Sequence, residues 1–484
     1  MGALRTIAGV LSVARIERFM AVEGRTHKPV LEYEKCETCG VCLQSCPSEV
    51  VPSMRLEEQS LRGKIYEHSD IELRLNLGKV FGAPRCQMAC PIRQDVRGYM
   101  RLIAEGKYRE ALALIREVNP LPSVCGYVCH HPCEAACTRG RVDDSLSIRS
   151  LKRFLAEYDS GNLSLPAIEE HKSRKVVIVG SGPAGLTAGH ELARRGYELE
   201  IIESYSEPGG LLAWAIPKFR LPREVLKRDI EHIKRMGVQF RTNTCFGKDM
   251  GWDDLQNGQA DAVIIATGTQ KSSKLRIKHE DDFLGHLDCL AFLRRYNEGE
   301  ETSLGPRVLV VGGGNAAVDS ARSAIRLGAT EVTIVYRRGS EEMPADREEI
   351  DDALREGMRI QFLTAPVRML GDKGRVAGIE CVRTELKDAD ASGRRKPVPV
   401  EGSEFVLKAD SIISAVGQQS DYEVLGSYAM DRESRGTRES RGTKEKSVFV
   451  AGDFVNGPTT VVEAMASGKR AAEAVEQYLE AKDK

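Results

Sequence analysis

Continuous runs of β-branched residues alternate with segments of helical periodicity through most of the chain. Val176–Val179 is one such run, and a helical segment and a second apolar run ending at Glu203 follow it. The same order of strand, helix and strand returns from Arg307 onward. Parallel strands buried on both faces give apolar runs of this kind. The pattern therefore predicts an α/β fold with two Rossmann-like nucleotide-binding units.

Two other patterns flank or interrupt these units. Between Val96 and Val118 apolar side chains recur at helical spacing, which predicts a small α-helical domain. Residues 371–408 alternate apolar and polar positions between glycine-containing turns, which predicts antiparallel strands. The hexapeptide RESRGT occurs twice in tandem from Arg432 to Thr443, and its charge predicts a solvated loop.

Charge and hydropathy exclude several classes of function. The 484 residues carry a formal net charge of −1, which gives no reason to expect nucleic acid or an anionic membrane as partner. No apolar run is long enough to span a bilayer. Residues 1–20 are basic and mildly amphipathic, and we interpret them as a surface helix or an overlong start with Met20 as the initiator. A mitochondrial transit peptide is the less favoured alternative.

The cysteines are concentrated near the start of the chain. Ten of the thirteen precede residue 138 in closely spaced groups, which favours metal ligation in a reducing cytoplasm over disulfides. The first group is C-x2-C-x2-C-x3-C-P, the bacterial ferredoxin motif for a [4Fe–4S] cluster, and it consists of Cys36, Cys39, Cys42 and Cys46. Zinc is the alternative, but its ligands usually occur as two separated C-x-x-C pairs. In two-cluster ferredoxins the fourth cysteine ligates the other cluster, so the cluster of Cys46 stays open.

A second cysteine group lies between residues 86 and 137. It predicts a helical domain folded over clusters, with the candidate ligands Cys86, Cys90, Cys125, Cys129, Cys133 and Cys137. His130 and His131 lie among them as loop residues or hydrogen-bond donors to the ligands. Cys245 has no partner at C-x-x-C spacing, which argues against a redox disulfide of the thioredoxin reductase type.

The first strand-to-helix junction carries the motif G-x-G-x-x-G. The first glycine permits a tight turn, the second lets the backbone approach a pyrophosphate, and the third lets the helix pack on the strand. Glu203 ends the second strand, where a carboxylate accepts hydrogen bonds from ribose hydroxyls. A glycine turn without a ligand is the alternative. The candidate contacts are Gly180, Gly182, Pro183, Ala184, Gly185 and Glu203.

Two later segments carry further candidate contacts. Gly209–Pro222 contains Gly210, one of two paired glycines that let the backbone lie close to a ligand, and Arg220 is a candidate phosphate or flavin contact. Near the end of the chain a strand is followed by a helix whose N-terminus would aim its positive end at a flavin. The candidates before this helix are Gly452, Asp453, Thr459 and Thr460.

The second unit repeats the glycine turn but ends its second strand differently. Its motif is G-x-G-x-x-A, with Gly312, Gly314, Asn315, Ala316 and Ala317. Arg337 and Arg338 stand where Glu203 closes the first unit, so no carboxylate repels a 2′-phosphate and two guanidiniums are available to bind it. This favours NADP over NAD. A solvated arginine pair is the alternative.

These motifs together resemble the small subunit of bacterial glutamate synthase and its relatives. That family includes the electron-input half of dihydropyrimidine dehydrogenase and transhydrogenase-type flavoproteins. The resemblance covers about residues 80–480, and it is carried by C-x3-C-P, NPLPSVCGYVCHHPCEAAC, VIVGSGPAGL, GGLLAWAIPKFRLP, VVGGGNAAVD, VYRRGSEEMPA and AGDFVNGPTTVVEAMASG. The family usually has an additional C-x2-C a few residues before the cysteine that matches Cys86, and this chain lacks it. Lys152 stands near a position where some members have a Gln or Glu ligand.

The resemblance implies where the cofactors bind. FAD would contact Gly182, Glu203, Leu211, Arg220, Asp453 and Thr460, and NADPH would contact Gly314, Asn315, Arg337, Arg338 and Ala415 to Gly417. It also implies that the NADP domain is inserted into the FAD domain. The expected domains are an N-terminal extension (1–30), a ferredoxin-like segment (31–60), a helical iron–sulfur domain (75–160), an FAD domain (172–290 and 405–484) and an NADP domain (291–404).

The activity that the resemblance implies is electron transfer from NADPH through FAD to two [4Fe–4S] clusters. A protein acceptor or a larger catalytic subunit would take the electrons, so a hetero-oligomer is expected, and no general base or nucleophile is needed. Two alternatives remain. One is an electron-transfer subunit of another reductase, or a ferredoxin:NADP oxidoreductase or transhydrogenase, and the other is a non-catalytic nucleotide-binding assembly subunit.

Overall fold

The computed structural model describes residues 84–158, 165–256, 260–389, 394–424 and 447–482. Three sequence predictions lie outside these residues, namely the N-terminal extension, the ferredoxin motif of Cys36 to Cys46 and the RESRGT duplication. The described chain divides into two compact units. Residues 84–122 and 131–158 form the first unit, and residues 123–130 and 165–482 form the second.

The first unit is helical. Its helices are α1 (Arg85–Ala89), α2 (Val96–Ala104), α3 (Tyr108–Arg116), α5 (Pro132–Ala135) and α6 (Ile148–Tyr158), with a 3₁₀ turn at Thr138–Arg141. The predicted periodic stretch from Val96 to Val118 forms two helices because Gly106, with φ of 73°, ends the first. Tyr99, Leu112 and Ile115 of these helices are completely buried and pack with Ile148 and Leu155 of α6.

The second unit begins with helix α4 (Pro122–Val128), whose residues from Ser123 onward belong to it. Its first sheet has five parallel strands in the order β16-β4-β1-β2-β3. The strands are β1 (Lys172–Val179), β2 (Tyr197–Ile202), β3 (Gln239–Arg241), β4 (Ala262–Ile265) and β16 (Val448–Val450). The helices that lie between or after these strands in the chain, outside the inserted segment, are α7 (Pro183–Arg194), α8 (Leu211–Trp214), α9 (Arg223–Arg235), α10 (Trp252–Gln256), α14 (Asp453–Asn456) and α15 (Val461–Lys482).

The second sheet repeats this arrangement with five parallel strands in the order β6-β14-β7-β8-β9. These are β6 (His286–Asp288), β7 (Arg307–Val311), β8 (Glu331–Val335), β9 (Arg359–Gln361) and β14 (Ser411–Ser414). Helices α11 (Cys289–Glu298), α12 (Asn315–Arg326) and α13 (Arg347–Arg355) accompany it. Its core is formed by residues such as Val308, Val310, Ala317 and Ile334.

The second sheet is built from a segment inserted between two strands of the first sheet. The chain leaves β4, enters the second sheet through β5 (Lys271–Ser272) and returns through β15 (Gln418–Gln419), and these two crossings pair with each other. It then completes the first sheet with β16. This topology confirms the predicted fold class, in which one Rossmann-like domain is inserted into another, whereas the predicted domain boundaries stay predictions.

A separate antiparallel sheet extends the inserted segment. It consists of β10 (Thr364–Asp372), β11 (Arg375–Ala389), β12 (Arg395–Pro399) and β13 (Phe405–Lys408), and β11 pairs with the other three. The alternation of residues 371–408 is thereby confirmed as antiparallel strands. In the described part of the chain, no helix combines the length and the apolar character needed to cross a membrane.

Candidate functional site

The two glycine turns have the same local geometry at their first glycine. Gly180 and Gly312 have φ of 104° and 149°, a region in which a side chain is strained. A Cβ atom would lie 2.5 Å from the Ala266 carbonyl oxygen at Gly180 and 2.2 Å from the Ala415 carbonyl oxygen at Gly312. Each turn is therefore pressed against the end of the neighbouring parallel strand, and only glycine fits there.

The second glycine of each turn faces open space instead. Apart from the adjacent residues and the backbone of the helix itself, no atom of the described residues lies within 4 Å of a Cβ built on Gly182 or Gly314, and both residues have ordinary extended backbone. Each is the N-cap of the helix that follows, α7 or α12. Helix N-termini attract phosphate because their first N–H groups have no partner within the helix. The two turns thus offer two equivalent places for a pyrophosphate.

The third position of each motif sets how closely the helix packs. A Cβ on Gly185 would lie 1.9 Å from the carbonyl oxygen of Gly180, so α7 can approach its strand only with glycine there. Ala317 occupies the corresponding position of the second turn and is completely buried. Helix α15 also packs closely on α7, since a Cβ on Gly468 would lie 2.1 Å from the Ala184 carbonyl oxygen.

Glu203 organises the first turn from within. Its carboxylate is buried and accepts hydrogen bonds from the backbone N–H groups of Ser181 at 3.1 Å and Tyr205 at 3.0 Å. The Ser181 hydroxyl also donates to Glu203 and accepts a hydrogen bond from Gly209 N at 2.9 Å. The carboxylate therefore holds the turn and the following loop together, and its contact with a ribose stays a prediction.

Gly210 brings a second loop against the same turn. Its φ is 56°, and a Cβ there would lie 2.9 Å from the Gly182 Cα atom. Leu211 begins helix α8 immediately afterwards. The backbone of this loop therefore lies beside the open space at Gly182, as the paired glycines predict.

The C-terminal segment of the site, residues 452–467, is held in place by hydrogen bonds to its own side chains. Asp453 accepts a hydrogen bond from Thr459 N at 3.1 Å, and burial raises the pKa of this carboxyl. Thr460 N donates to Glu463 at 2.9 Å, which forms a capping box at the start of α15. Gly452 N donates to the Ser467 hydroxyl at 2.9 Å. These hydrogen bonds therefore fix the loop before α15, whose residues Asp453, Thr459 and Thr460 line a cavity of the second unit.

The segment that follows β8, at the second glycine turn's side of the site, is basic. Arg337 is exposed, and its carbonyl oxygen accepts a hydrogen bond from the Thr384 hydroxyl at 2.8 Å. Arg338 is 5% exposed and donates from Nε to the Arg395 carbonyl oxygen at 2.9 Å. Arg394, which no sequence pattern predicted as a contact, also lines the cavity here. It directly precedes β12 of the antiparallel sheet, and no nucleotide motif includes it.

Arg220 forms ion pairs with two acidic residues of the inserted segment. The distances are 2.6 Å from Nη1 to Asp319 Oδ2 and 3.0 Å from Nε to Glu349 Oε1. Its side chain is 9% exposed and borders the cavity. The predicted contact of Arg220 with a phosphate or a flavin stays a prediction. The sequence motif gave no sign of these acidic partners.

One cavity of about 1100 Å³ in the second unit joins all of these elements. Ligand sites usually measure about 300–1,000 Å³, so this volume suits more than one small ligand. The predicted residues that line it are Gly180, Gly182, Pro183, Ala184, Glu203, Gly210, Leu211, Arg220, Gly312, Gly314, Asn315, Ala316, Arg337, Arg338, Ala415, Gly417, Asp453, Thr459 and Thr460. The open glycines and the basic end fit two dinucleotides.

The predicted cluster ligands of the described chain fall in both units. Cys86 lies in α1 and Cys90 directly follows it. Cys133 lies in α5, which packs against α1 in the first unit, and Cys137 directly precedes the 3₁₀ turn. Burial raises the pKa of the Cys86 thiol, and the Cys137 thiol nearby adds to this shift. Cys125 and Cys129 belong to the second unit, and Cys125 Sγ lies 3.8 Å from Met465 Sδ.

These thiols fit an iron–sulfur group by their chemistry, because soft thiolates are its usual ligands. Within residues 84–158, 165–256, 260–389, 394–424 and 447–482, no three His, Cys, Asp or Glu side chains converge as they would around a bound metal ion. The assignment of individual cysteines to a cluster therefore stays a prediction.

Two family models match the chain. One is described as pyridine nucleotide-disulphide oxidoreductase and matches residues 174–468. The other is described as dihydropyrimidine dehydrogenase domain II, 4Fe-4S cluster, and matches residues 80–162. The first covers both parallel sheets, and the second covers the helical unit with its cysteines.

Three curated relatives are similar over most of the chain. The NADP(+)-dependent formate dehydrogenase subunit beta of Moorella thermoacetica is 43% identical, over 83% of this chain and 60% of the relative. The NADPH-Fe(3+) oxidoreductase subunit beta of Geobacter sulfurreducens is 40% identical, over 82% and 63%. The glutamate synthase [NADPH] small chain of Escherichia coli is 33% identical, over 82% and 89%. The chain thus spans about three fifths of the length of the first two relatives.

A solved structure supports the fold. Mycobacterium tuberculosis FprA in complex with NADPH superimposes with a TM-score of 0.55 and 23% sequence identity, over 64% of this chain and 86% of that chain. At this identity the likeness concerns the fold alone.

Proposed function

Since the chain belongs to the pyridine nucleotide-disulphide oxidoreductase family, in the group that includes the glutamate synthase small chain, we propose that it is an electron-input protein. It takes electrons from NADPH and passes them through FAD and [4Fe–4S] clusters to a partner protein. The observation that carries this proposal is the single cavity lined by two open glycine turns, one closed by Glu203 and the other by arginines.

The first turn is the proposed FAD site. Gly182 leaves room for the pyrophosphate at the start of α7, and the carboxylate of Glu203 stands at the end of β2, where the ribose is expected. The loop before α15 closes the site with Asp453, Thr459 and Thr460. Bound FAD would accept two electrons from NADPH as a hydride and release them singly to the clusters.

The second turn is the proposed NADPH site. Gly314 leaves room for the pyrophosphate at the start of α12, and Asn315 braces that turn by accepting a hydrogen bond from Asp346 N at 2.9 Å. Arg337 and Arg338 supply positive charge for the 2′-phosphate, which NADH lacks. Gly417 has φ of 115° and lines the cavity beside this site.

The proposed cluster ligands are the ten cysteines that precede residue 138. In the described chain they are Cys86, Cys90, Cys125, Cys129, Cys133 and Cys137, and the ferredoxin motif of Cys36 to Cys46 would add four more. Thiolates would hold the irons, and burial and hydrogen bonds around them would tune the potential. The protein's residues supply binding and position, and no acid–base or nucleophilic residue is required.

The partner is proposed from the relatives. Two of them are named as beta subunits and one as a small chain, so we expect this chain to act in a hetero-oligomer with an electron-accepting subunit. Because the chain spans only about three fifths of the length of the first two relatives, we do not assign their complete activities to it. An electron-transfer subunit of another reductase, or a ferredoxin:NADP oxidoreductase, would use the same site.

The proposal is tested by NADPH-dependent reduction of a viologen dye by the purified chain under anaerobic conditions. We expect turnover with NADPH and at least tenfold lower kcat/KM with NADH. A chain that contains flavin and iron but reduces no dye with either nucleotide would support the non-catalytic assembly role instead.

A further inference from the structure

One loop of the first nucleotide-binding fold extends onto the second. We call residues 209–222 the strap. It begins at the first glycine turn, where Gly209 N donates to the Ser181 hydroxyl at 2.9 Å and Gly210 lies against Gly182. It ends at Pro222, the N-cap of helix α9, which belongs to the first fold.

The middle of the strap is part of the hydrophobic core of the second fold. Ala215 is 7% exposed and packs in the cluster that contains Val308 and Val310 of β7, with Leu211 and Trp214 beside it. Asn297 of α11 is buried and donates from Nδ2 to the carbonyl oxygens of Trp214 at 2.9 Å and Ile216 at 3.2 Å. Backbone polar groups of the strap are thus satisfied by the second fold.

Arg220 fixes the end of the strap to the helix of the second glycine turn. Its guanidinium bridges Asp319 of α12 at 2.6 Å and Glu349 of α13 at 3.0 Å, and the side chains of Arg220 and Asp319 are 9% and 5% exposed. Asp319 follows Gly314 by five residues in the same helix. A planar guanidinium that bridges two carboxylates is more rigid than a single ion pair.

A ring contact and further ion pairs extend this attachment. Phe219 lies under the guanidinium groups of Arg326 and Arg322, at 3.8 Å and 5.0 Å from the ring centre. Arg322 also pairs with Glu349, and with Glu356 at 2.7 Å. The strap therefore contacts the glycine turn of the proposed FAD site at one end. At the other end it is bound to α12, the helix of the proposed NADPH site.

From this arrangement we infer that Arg220 is a positioning residue for hydride transfer. Through the strap, Arg220 fixes the distance between the proposed site of the flavin ring in the first fold and that of the nicotinamide ring in the second. This inference rests on the proposed function. Reaction rates depend steeply on such alignment, since a misplacement of about 1 Å can cost about 10²-fold. Removing the bridge should therefore slow flavin reduction more than it weakens nucleotide binding.

The experiment compares R220Q, the double variant R220Q/D319N and the control R307Q in the full chain. The double variant removes the buried carboxylate that R220Q leaves uncompensated, so its melting temperature should recover toward wild type. Arg307 pairs with Asp410 at 2.6 Å within the second fold, away from the strap. Stopped-flow absorbance measures flavin reduction at saturating NADPH, and hydrogen exchange measures protection of residues 209–222.

We expect flavin reduction to slow about 10²-fold in both Arg220 variants, with the Kd for NADPH changed less than about threefold. Strap amides should exchange faster in both, while R307Q matches wild type in rate and in strap exchange. Recovery of the rate together with the melting temperature in the double variant would overturn the inference, and so would loss of bound FAD in R220Q, which would make Arg220 a flavin-binding residue.

Failure of the proposed function gives a different result. In that case NADPH would not reduce the flavin of the wild-type chain, and the exchange comparison would still decide the attachment role of Arg220. Unchanged strap exchange in R220Q would refute that role whether or not the wild-type flavin is reduced.

Discussion

Adding one methyl group at Gly314 should weaken NADPH binding without disturbing the fold. The residue has φ of −90° and ψ of 176°, which alanine adopts freely, and among the residues that the structure describes none beyond its own turn has an atom within 4 Å of the added Cβ. The free energy of unfolding should therefore change by less than about 1 kcal/mol. The methyl would instead occupy the space expected for the pyrophosphate.

The size of the effect follows from overpacking a close contact, which costs about 1–3 kcal/mol. Since about 1.4 kcal/mol is a tenfold change in affinity, the Kd for NADP⁺ should rise roughly 5- to 150-fold in G314A. FAD content should stay at the wild-type level. The matching variant G182A should show the opposite pattern, with lowered FAD content and an intact fold.

The assay is isothermal titration with NADP⁺ together with flavin absorbance and thermal unfolding. G185A is the structural control, because its Cβ would lie 1.9 Å from a backbone oxygen and should destabilise the fold itself. A wild-type Kd for NADP⁺ in G314A, or loss of flavin in that variant, would refute the assignment of the second turn to NADPH.

Three further changes test other parts of the account. R337Q should raise KM for NADPH at least tenfold and leave KM for NADH unchanged, because one charged hydrogen-bond donor contributes about 1.5–3 kcal/mol; equal effects on both nucleotides in steady-state kinetics would contradict this. C137S should lose up to about four irons per chain in a colorimetric iron assay, with C245S as the control, and full iron content would remove Cys137 from the ligands. Hydrogen bonds from Arg326 and Arg322 lower the pKa of Glu356 from 4.5 to about 2, so E356Q should lose stability at pH 7, by roughly 1 kcal/mol because solvent screens these partly exposed ion pairs. That stabilisation is complete above pH 4.5 and is lost as the pH falls toward 2, so the difference in melting temperature from wild type should narrow below pH 4.5; a constant difference would count against the pKa shift.

The fold and the two glycine turns could be predicted because their signals are local. Gly180, Gly182 and Gly185 lie within six residues, and their spacing follows from the geometry of a single strand-to-helix turn. The insertion of the second fold was implied only by the family resemblance. The pairing of β5 with β15 brings together residues that are far apart in sequence, which no periodicity reveals.

The contacts of the basic and acidic residues could not be predicted in the same way. Arg220 and Asp319 are separated by 99 positions, and only the packing of the strap on α12 brings them together. Arg394 was missed because it directly precedes a strand of the antiparallel sheet and lies outside every nucleotide-binding motif. Cysteine spacing predicts metal ligation, but it does not show that Cys125 and Cys129 belong to a different compact unit from the other four candidate ligands of the described chain.

The most direct test of the central claim is an anaerobic visible spectrum of the purified chain, with flavin and iron quantified, before and after addition of NADPH and then, in a separate sample, NADH. The account predicts bound flavin and iron, with prompt loss of flavin and cluster absorbance on addition of NADPH and slow loss with NADH. A chain without flavin, or with flavin that neither nucleotide reduces, would contradict it.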